Sequence, residues 1–177
     1  MPPASSAIPL KRPIALVGMM GAGKTSIGQL LAERLGWPFH DSDAEVERAA
    51  GCTIAQLFAR EGEADFRVRE REAVAALLGH DAIVLATGGG AMADPGTRAL
   101  LLEQAETIWL DAQPAILARR LAGTSGRPLI DGDDPESALT RLLAERRSCY
   151  AQAAHHVRTD DKGLDEVAEA LLKLLGR

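Results

Sequence analysis

The segment Gly18-Met19-Met20-Gly21-Ala22-Gly23-Lys24-Thr25 has the spacing G-x-x-x-x-G-K-[ST]. It lies between an apolar run, Ile14-Ala15-Leu16-Val17, and a helical pattern that starts at Lys24. Glycines let the backbone curl until successive N–H groups face one anion, and the following helix adds the positive end of its dipole. Lys24 supplies a point charge for the β- and γ-phosphates of a nucleoside triphosphate, and Thr25 a hydroxyl for Mg²⁺. A glycine-rich turn with a chance lysine is the competing explanation. The strand before the loop and the helix after it weigh against that.

Continuous apolarity marks Ile14–Val17 as a strand buried on both faces of a parallel sheet. A helix follows from about Lys24 to Leu35, with Ile27, Leu30, Leu31 and Leu35 on one face and Gly36 as its stop. Trp37–His40 reads as a second strand, and Asp43–Ala50, Ile54–Arg60 and Glu63–Leu78 as helices separated by Gly51 and Gly62. Ala82–Ala86 is a third strand running into Gly88-Gly89-Gly90. Asp94 and Pro95 then open a helix as N-cap and first helical residue. Thr107–Leu110 is a fourth strand, Pro114–Leu121 a helix, Glu136–Tyr150 a helix, Ala154–Val157 a fifth strand and Leu164–Leu175 a closing helix. Strands alternating with helices predict right-handed crossovers and a three-layer α/β/α fold around a five-stranded parallel sheet. Ligands of such folds sit at the carboxyl ends of the strands.

A chain of 177 residues suits one domain, expected over 13–177, preceded by a disordered tail at 1–12 with no secretory character. Residues 122–135 are rich in Gly, Asp and Ser and predict a mobile lid. The net charge of −5 argues against nucleic acid as the main partner, and without a run of 18 apolar residues no membrane span is expected. Cys52 and Cys149 form no C-x-x-C pair, which fits a cytoplasmic protein with free thiols. No exposed apolar stripe calls for a partner, so a monomer is expected.

Asp41-Ser42-Asp43 follows the second strand, where carboxylates at i and i+2 point to one side. One of the pair suits Mg²⁺ and the other an acceptor hydroxyl. The same stretch also spells a capping box, Ser42 with Glu45. Gly88-Gly89-Gly90 at a strand end allows close backbone approach to a ligand, or simply a tight turn. Arg67 sits between Glu63 and Glu70 at helical spacing, as part of a solvated face or as a fork for a substrate carboxylate. Arg127 lies in the expected lid, where a cation can close on phosphates. Arg119 and Arg120 end a helix, Arg146 and Arg147 occupy an amphipathic one, and solvent exposure is the default for each. His155 and His156 lack partners at metal-ligand spacing and read as structural.

Taken together, these residues resemble the shikimate kinase family, which is nucleoside monophosphate kinase-like in build, from about Pro13 to Val157. Gly21-Ala22-Gly23-Lys24-Thr25-Ser26 resembles its ATP-binding phosphate loop, and Asp41-Ser42-Asp43 its D-[ST]-D motif. The resemblance implies that Thr25 and Asp41 serve Mg²⁺ and Asp43 the shikimate hydroxyls. Gly62-Glu63-Ala64-Asp65-Phe66-Arg67 with Glu70 is similar to the family's GExxFR…E segment, which implies Arg67 on the shikimate carboxylate and Glu70 in support. Gly88, Gly89 and Gly90 resemble its glycine triplet, whose middle member contacts substrate. Arg127-Pro128-Leu129 resembles its lid motif, with Arg127 on ATP. Arg146, four before Tyr150, is similar to the second carboxylate-binding arginine, and Arg120 falls where the family stacks a residue on adenine.

The implied activity is an ATP-dependent phosphotransferase acting on an alcohol: transfer of the γ-phosphate to the 3-hydroxyl of shikimate, in aromatic amino acid biosynthesis. Lys24, Asp43 and Arg127 would carry the catalysis, Mg²⁺ would be the cofactor, and ATP and shikimate the small-molecule partners. A related small-metabolite kinase such as a gluconate kinase is the nearest alternative. A nucleotide-binding module without catalysis is the more distant one, and it would need no acceptor pocket.

Overall fold

The structure is a computed structural model and describes residues 12–122 and 134–177. Most of the expected tail and of the expected lid, Arg127 included, lies outside the described residues. Five strands, β1 (Ile14–Val17), β2 (Phe39–Asp41), β3 (Val84–Ala86), β4 (Glu106–Asp111) and β5 (His155–Arg158), form one parallel sheet in the order β2-β3-β1-β4-β5. Every residue of β1 and β3 is buried, as expected of central strands, whereas the edge strands β2 and β5 are mostly half-exposed or exposed.

Helices flank the sheet and complete the α/β/α layering. They are α1 (Lys24–Leu35), α2 (Ser42–Ala50), α3 (Ile54–Leu78), α4 (Pro95–Gln104), α5 (Pro114–Leu121), α6 (Pro135–Tyr150) and α7 (Leu164–Leu174). On α1 the expected apolar face is real: Ile27 and Leu31 are buried, and Leu35 packs against the core. Gly36 ends this helix in the left-handed conformation. Asp94 caps α4 by accepting from the Thr97 N–H, with Pro95 in the first turn.

Two local expectations shift. The second strand begins at Phe39 rather than Trp37, because Pro38 has no N–H to give and contributes only its carbonyl, to Val84 N. The third strand begins at Val84 rather than Ala82, which stands at a positive φ of 52° just before it. The helices expected on either side of Gly62 both form within the span of α3, and the break between them stands at Gly62, where φ is 82° and ψ 177°.

The main core joins the sheet to the flanking helices. A second, smaller core of Val46, Leu57 and Phe66, flanked by Ile54 and Phe58, ties α2 to α3. α3 serves both cores, since its Val74, Leu77 and Leu78 belong to the main one.

Candidate active site

The chain leaves β1 at Gly18, where φ is 140° and a Cβ would collide with the Leu110 carbonyl, so only glycine fits. The loop closes on α1, which has neither a side-chain cap nor an acid in its first turn, so its leading N–H groups suit an anion. Lys24 is 8% exposed, and its Nζ donates to the carbonyls of Gly18 at 2.7 Å and Met19 at 2.8 Å. Arg120 crosses the loop from α5. Its Nη1 donates to Gly21 O at 3.3 Å, and its Nη2 to Thr159 O, after β5, at 2.9 Å.

Asp41 meets this loop from β2. Its Oδ2 accepts from Thr25 Oγ1 at 3.1 Å, while its Oδ1 caps α2 by accepting from the N–H groups of Asp43 and Ala44. The capping box expected of Ser42 and Glu45 is not formed. Ser42 is itself the first helical residue, and its buried Oγ accepts from Gly88 N at 3.1 Å.

Beside the loop lies a cleft of about 550 Å³. Asp43, Arg67, Glu70, Arg146 and the glycine triplet line it, with Phe58 and Phe66 among the apolar residues of its wall. The triplet is what lets these groups converge. A Cβ on Gly88 would lie 2.6 Å from Asp43 Oδ1 and 2.8 Å from Glu70 Oε1, and one on Gly90 would overlap the Arg67 guanidinium. Gly89 offers its carbonyl to Arg146 Nη1 at 3.2 Å.

Arg67 is no solvated surface residue. Its side chain is 13% exposed and donates to Glu70 Oε2 at 2.7 Å and to Glu63 Oε1 at 3.3 Å. Burial works against its charge, but the two glutamates more than compensate and raise its pKa. Glu70 is fully buried, and burial pushes its carboxyl above the ordinary value of 4.5 even though Arg67 pulls it back. Its second oxygen, Oε1, has no hydrogen-bond partner among the described residues.

The default exposure expected of Arg146 fails for a geometric reason. Arg146 shares a helix face with the buried Tyr150 four residues on, whereas Arg147 points outward over Trp109. His155 and His156 lie outside the lining of the cleft and are engaged by Glu106 at 2.6 Å and Asp111 at 2.9 Å. Both cysteines are free. Ile54 and Phe58, which no motif marks, line the cleft beside Phe66 of the GExxFR-like segment. Their apolar spacing along α3 was the available signal.

The loop thus presents N–H groups suited to an anion, with the hard oxygens of Thr25 and Asp41 beside it. The cleft next to it sets the carboxylates of Asp41, Asp43, Glu47 and Glu70 against the guanidiniums of Arg67 and Arg146, a set suited to an acceptor that carries both hydroxyls and a carboxylate.

Comparison with known proteins agrees with that chemistry. The family model described as shikimate kinase matches residues 20–176. A shikimate kinase of Symbiobacterium thermophilum is 51% identical over 168 residues, covering 93% of this chain and 97% of that one. One of Caulobacter vibrioides is 48% identical over 162 residues, covering 92% and 81%. Among solved structures, shikimate kinase from Acinetobacter baumannii in complex with shikimate superposes with a TM-score of 0.91 at 38% identity, covering 96% of this chain and 95% of that one.

Proposed function

The chain belongs to the shikimate kinase family, and from this membership we propose that its cleft transfers the γ-phosphoryl group of ATP to the 3-hydroxyl of shikimate. The products are ADP and shikimate 3-phosphate, a step of aromatic amino acid biosynthesis. The observation that carries the reading is the convergence of Asp43, Glu70, Arg67 and Arg146 on the glycine triplet beside the phosphate loop.

The loop from Gly21 to Ser26 holds the triphosphate through its N–H groups and the helix dipole. Lys24 turns its ammonium from the loop carbonyls to the β- and γ-phosphates. Arg120 flanks the nucleotide, and Arg127 takes the catalytic role of a lid cation on ATP. Arg67 and Arg146 grip the shikimate carboxylate, and Gly88, Gly89 and Gly90 bring the backbone against the ring. Glu70 holds Arg67 in place. Asp43 orients the 3-hydroxyl and accepts its proton as the oxygen attacks phosphorus. Transfer then rests mostly on positioning and on neutralising the charge of the moving group.

Among the described residues no group of three His, Cys, Asp or Glu is placed to hold a metal by itself. Thr25 Oγ1 and Asp41 Oδ2, side by side at 3.1 Å, are the hard oxygens that Mg²⁺ takes alongside phosphate oxygens. They would hold it, and when bound it neutralises the phosphate oxygens.

The enzyme acts as a cytoplasmic monomer. This reading is supported by exposed large apolar residues that sit apart on α3 and at the two ends of α7. None of the described helices is long and apolar enough to cross a membrane.

The decisive test is ADP release coupled to shikimate, with gluconate as the competing acceptor. Turnover selective for shikimate is expected. Equal or better kcat/KM with gluconate would overturn the acceptor, and ATP binding without turnover of either would overturn catalysis.

A further inference from the structure

Tyr150 closes α6 with its side chain 1% exposed and its ring stacked 5.7 Å from that of Trp109. Packing alone would suit phenylalanine there. The hydroxyl, however, donates to the carbonyl of Gly89 at 2.5 Å and lies 3.4 Å from Met19 Sδ, so it sits where the acceptor glycines meet the phosphate loop. The two backbones are close at that place, since a Cβ on Gly89 would stand 3.2 Å from Met20 N.

Arg146 lies one turn earlier on the same helix face, and its Nη1 donates to the same Gly89 oxygen. One carbonyl thus receives two donors from α6. The tyrosine bond is the shorter, and it comes from a rigid ring held by packing. The arginine bond is longer and comes from a flexible side chain. The phenol holds the carbonyl that the guanidinium also uses, and it lies close enough to interact with the guanidinium itself.

We propose that Tyr150 is a positioning residue for the transfer, acting through Gly89 and on the guanidinium itself to aim Arg146 at the carboxylate of the acceptor, and holding the glycine triplet in register with the phosphate loop. The proposal rests on the reading of Arg146 as a carboxylate-binding residue. Burial pushes the phenol up to about 12, so it remains a donor throughout the neutral range.

Tyr150→Phe keeps the ring and removes the donor. It is expected to raise the shikimate KM about five- to tenfold, with the ATP KM unchanged within about twofold. Combined with Arg146→Lys, its effect on the shikimate KM is expected to be less than additive, because both act on one contact. Equal effects on both substrates, a loss of thermal stability alone, or full additivity would overturn the proposal. Tyr150 is also the only tyrosine of the chain, so ring-fluorinated tyrosine introduces a single probe without deleting the hydroxyl. Its fluorine resonance is expected to move when shikimate is added, and a resonance indifferent to shikimate would overturn the proposal even if the phenylalanine variant does not fold. The unaltered enzyme assayed with shikimate separates the two questions: its failure to turn over strikes the functional reading, whereas normal turnover with an unaffected Tyr150→Phe strikes only this inference.

Discussion

Thr25 Oγ1 donates to Asp41 Oδ2 at 3.1 Å, joining the loop after the first strand to the end of the second. The same carboxylate caps α2 through its other oxygen. Asp41→Asn keeps an acceptor for the cap but loses the charge. It is expected to raise the Mg²⁺ concentration needed for half-maximal activity about tenfold, by loss of one charge-assisted contact, while the melting temperature changes little. Magnesium titrations of turnover, set beside thermal melts, check both halves of this.

Asp43 faces Glu70 across Gly88 in the cleft. Asp43→Asn is expected to lower kcat about a hundred- to ten-thousandfold, the range of a lost general base, with ATP affinity unchanged. Near-normal kcat in a folded variant would remove Asp43 from its role.

Arg67 and Glu70 are a buried pair, so truncating one strands the other. Arg67→Ala is expected to weaken shikimate binding about ten- to a hundredfold and to cost about 3 kcal/mol of stability. Adding Glu70→Gln is expected to restore much of the stability but none of the affinity. Denaturant unfolding and shikimate KM, measured on the same three proteins, separate the two losses.

Glu70 also predicts a pH dependence. Its folded pKa is raised, chiefly by burial, so the folded state holds its proton more tightly than the unfolded chain does. The folded state therefore loses stability as pH rises from the ordinary value of 4.5 through the raised folded pKa. Melting temperature measured across that window is expected to fall more steeply in the wild type than in Glu70→Gln. Parallel curves would show that another group carries the dependence.

Gly90→Ala places a methyl group against the Arg67 guanidinium. It is expected to raise the shikimate KM while leaving nucleotide affinity intact, because Gly90 lies away from the phosphate loop contacts. Calorimetric titration with ADP and with shikimate distinguishes this from general unfolding.

The sequence was most readable where one residue type answers one local demand. The glycines and lysine of the loop, the continuous apolarity of β1 and the Asp94-Pro95 start of α4 all stand where the pattern puts them. It was least readable where two local solutions compete. Ser42 with Glu45 spells a cap as well as Asp41 does, and the choice is made by a distant donor, the N–H of Gly88, which takes the Ser42 hydroxyl. Arg146 and Arg147 are adjacent and chemically alike. What separates them is the rotation of α6 against the glycine triplet, and that is a tertiary fact. The carboxylate of Asp111, buried beneath His156, is likewise a pairing across 45 residues with no local trace.

The wall that carries Arg67 is packed from two sides: Phe66 beside it lies in the small core with Val46 and Leu57, while Val74, Leu77 and Leu78 further along the same helix lie in the main core. Acceptor wall and nucleotide loop are linked at Asp41, which caps α2, the helix that gives Val46 to that small core, and accepts from Thr25 of the loop. A substitution in that small cluster therefore moves the acceptor wall and the metal-side carboxylate together, so a new substrate is reached only by changes that keep this joint in place.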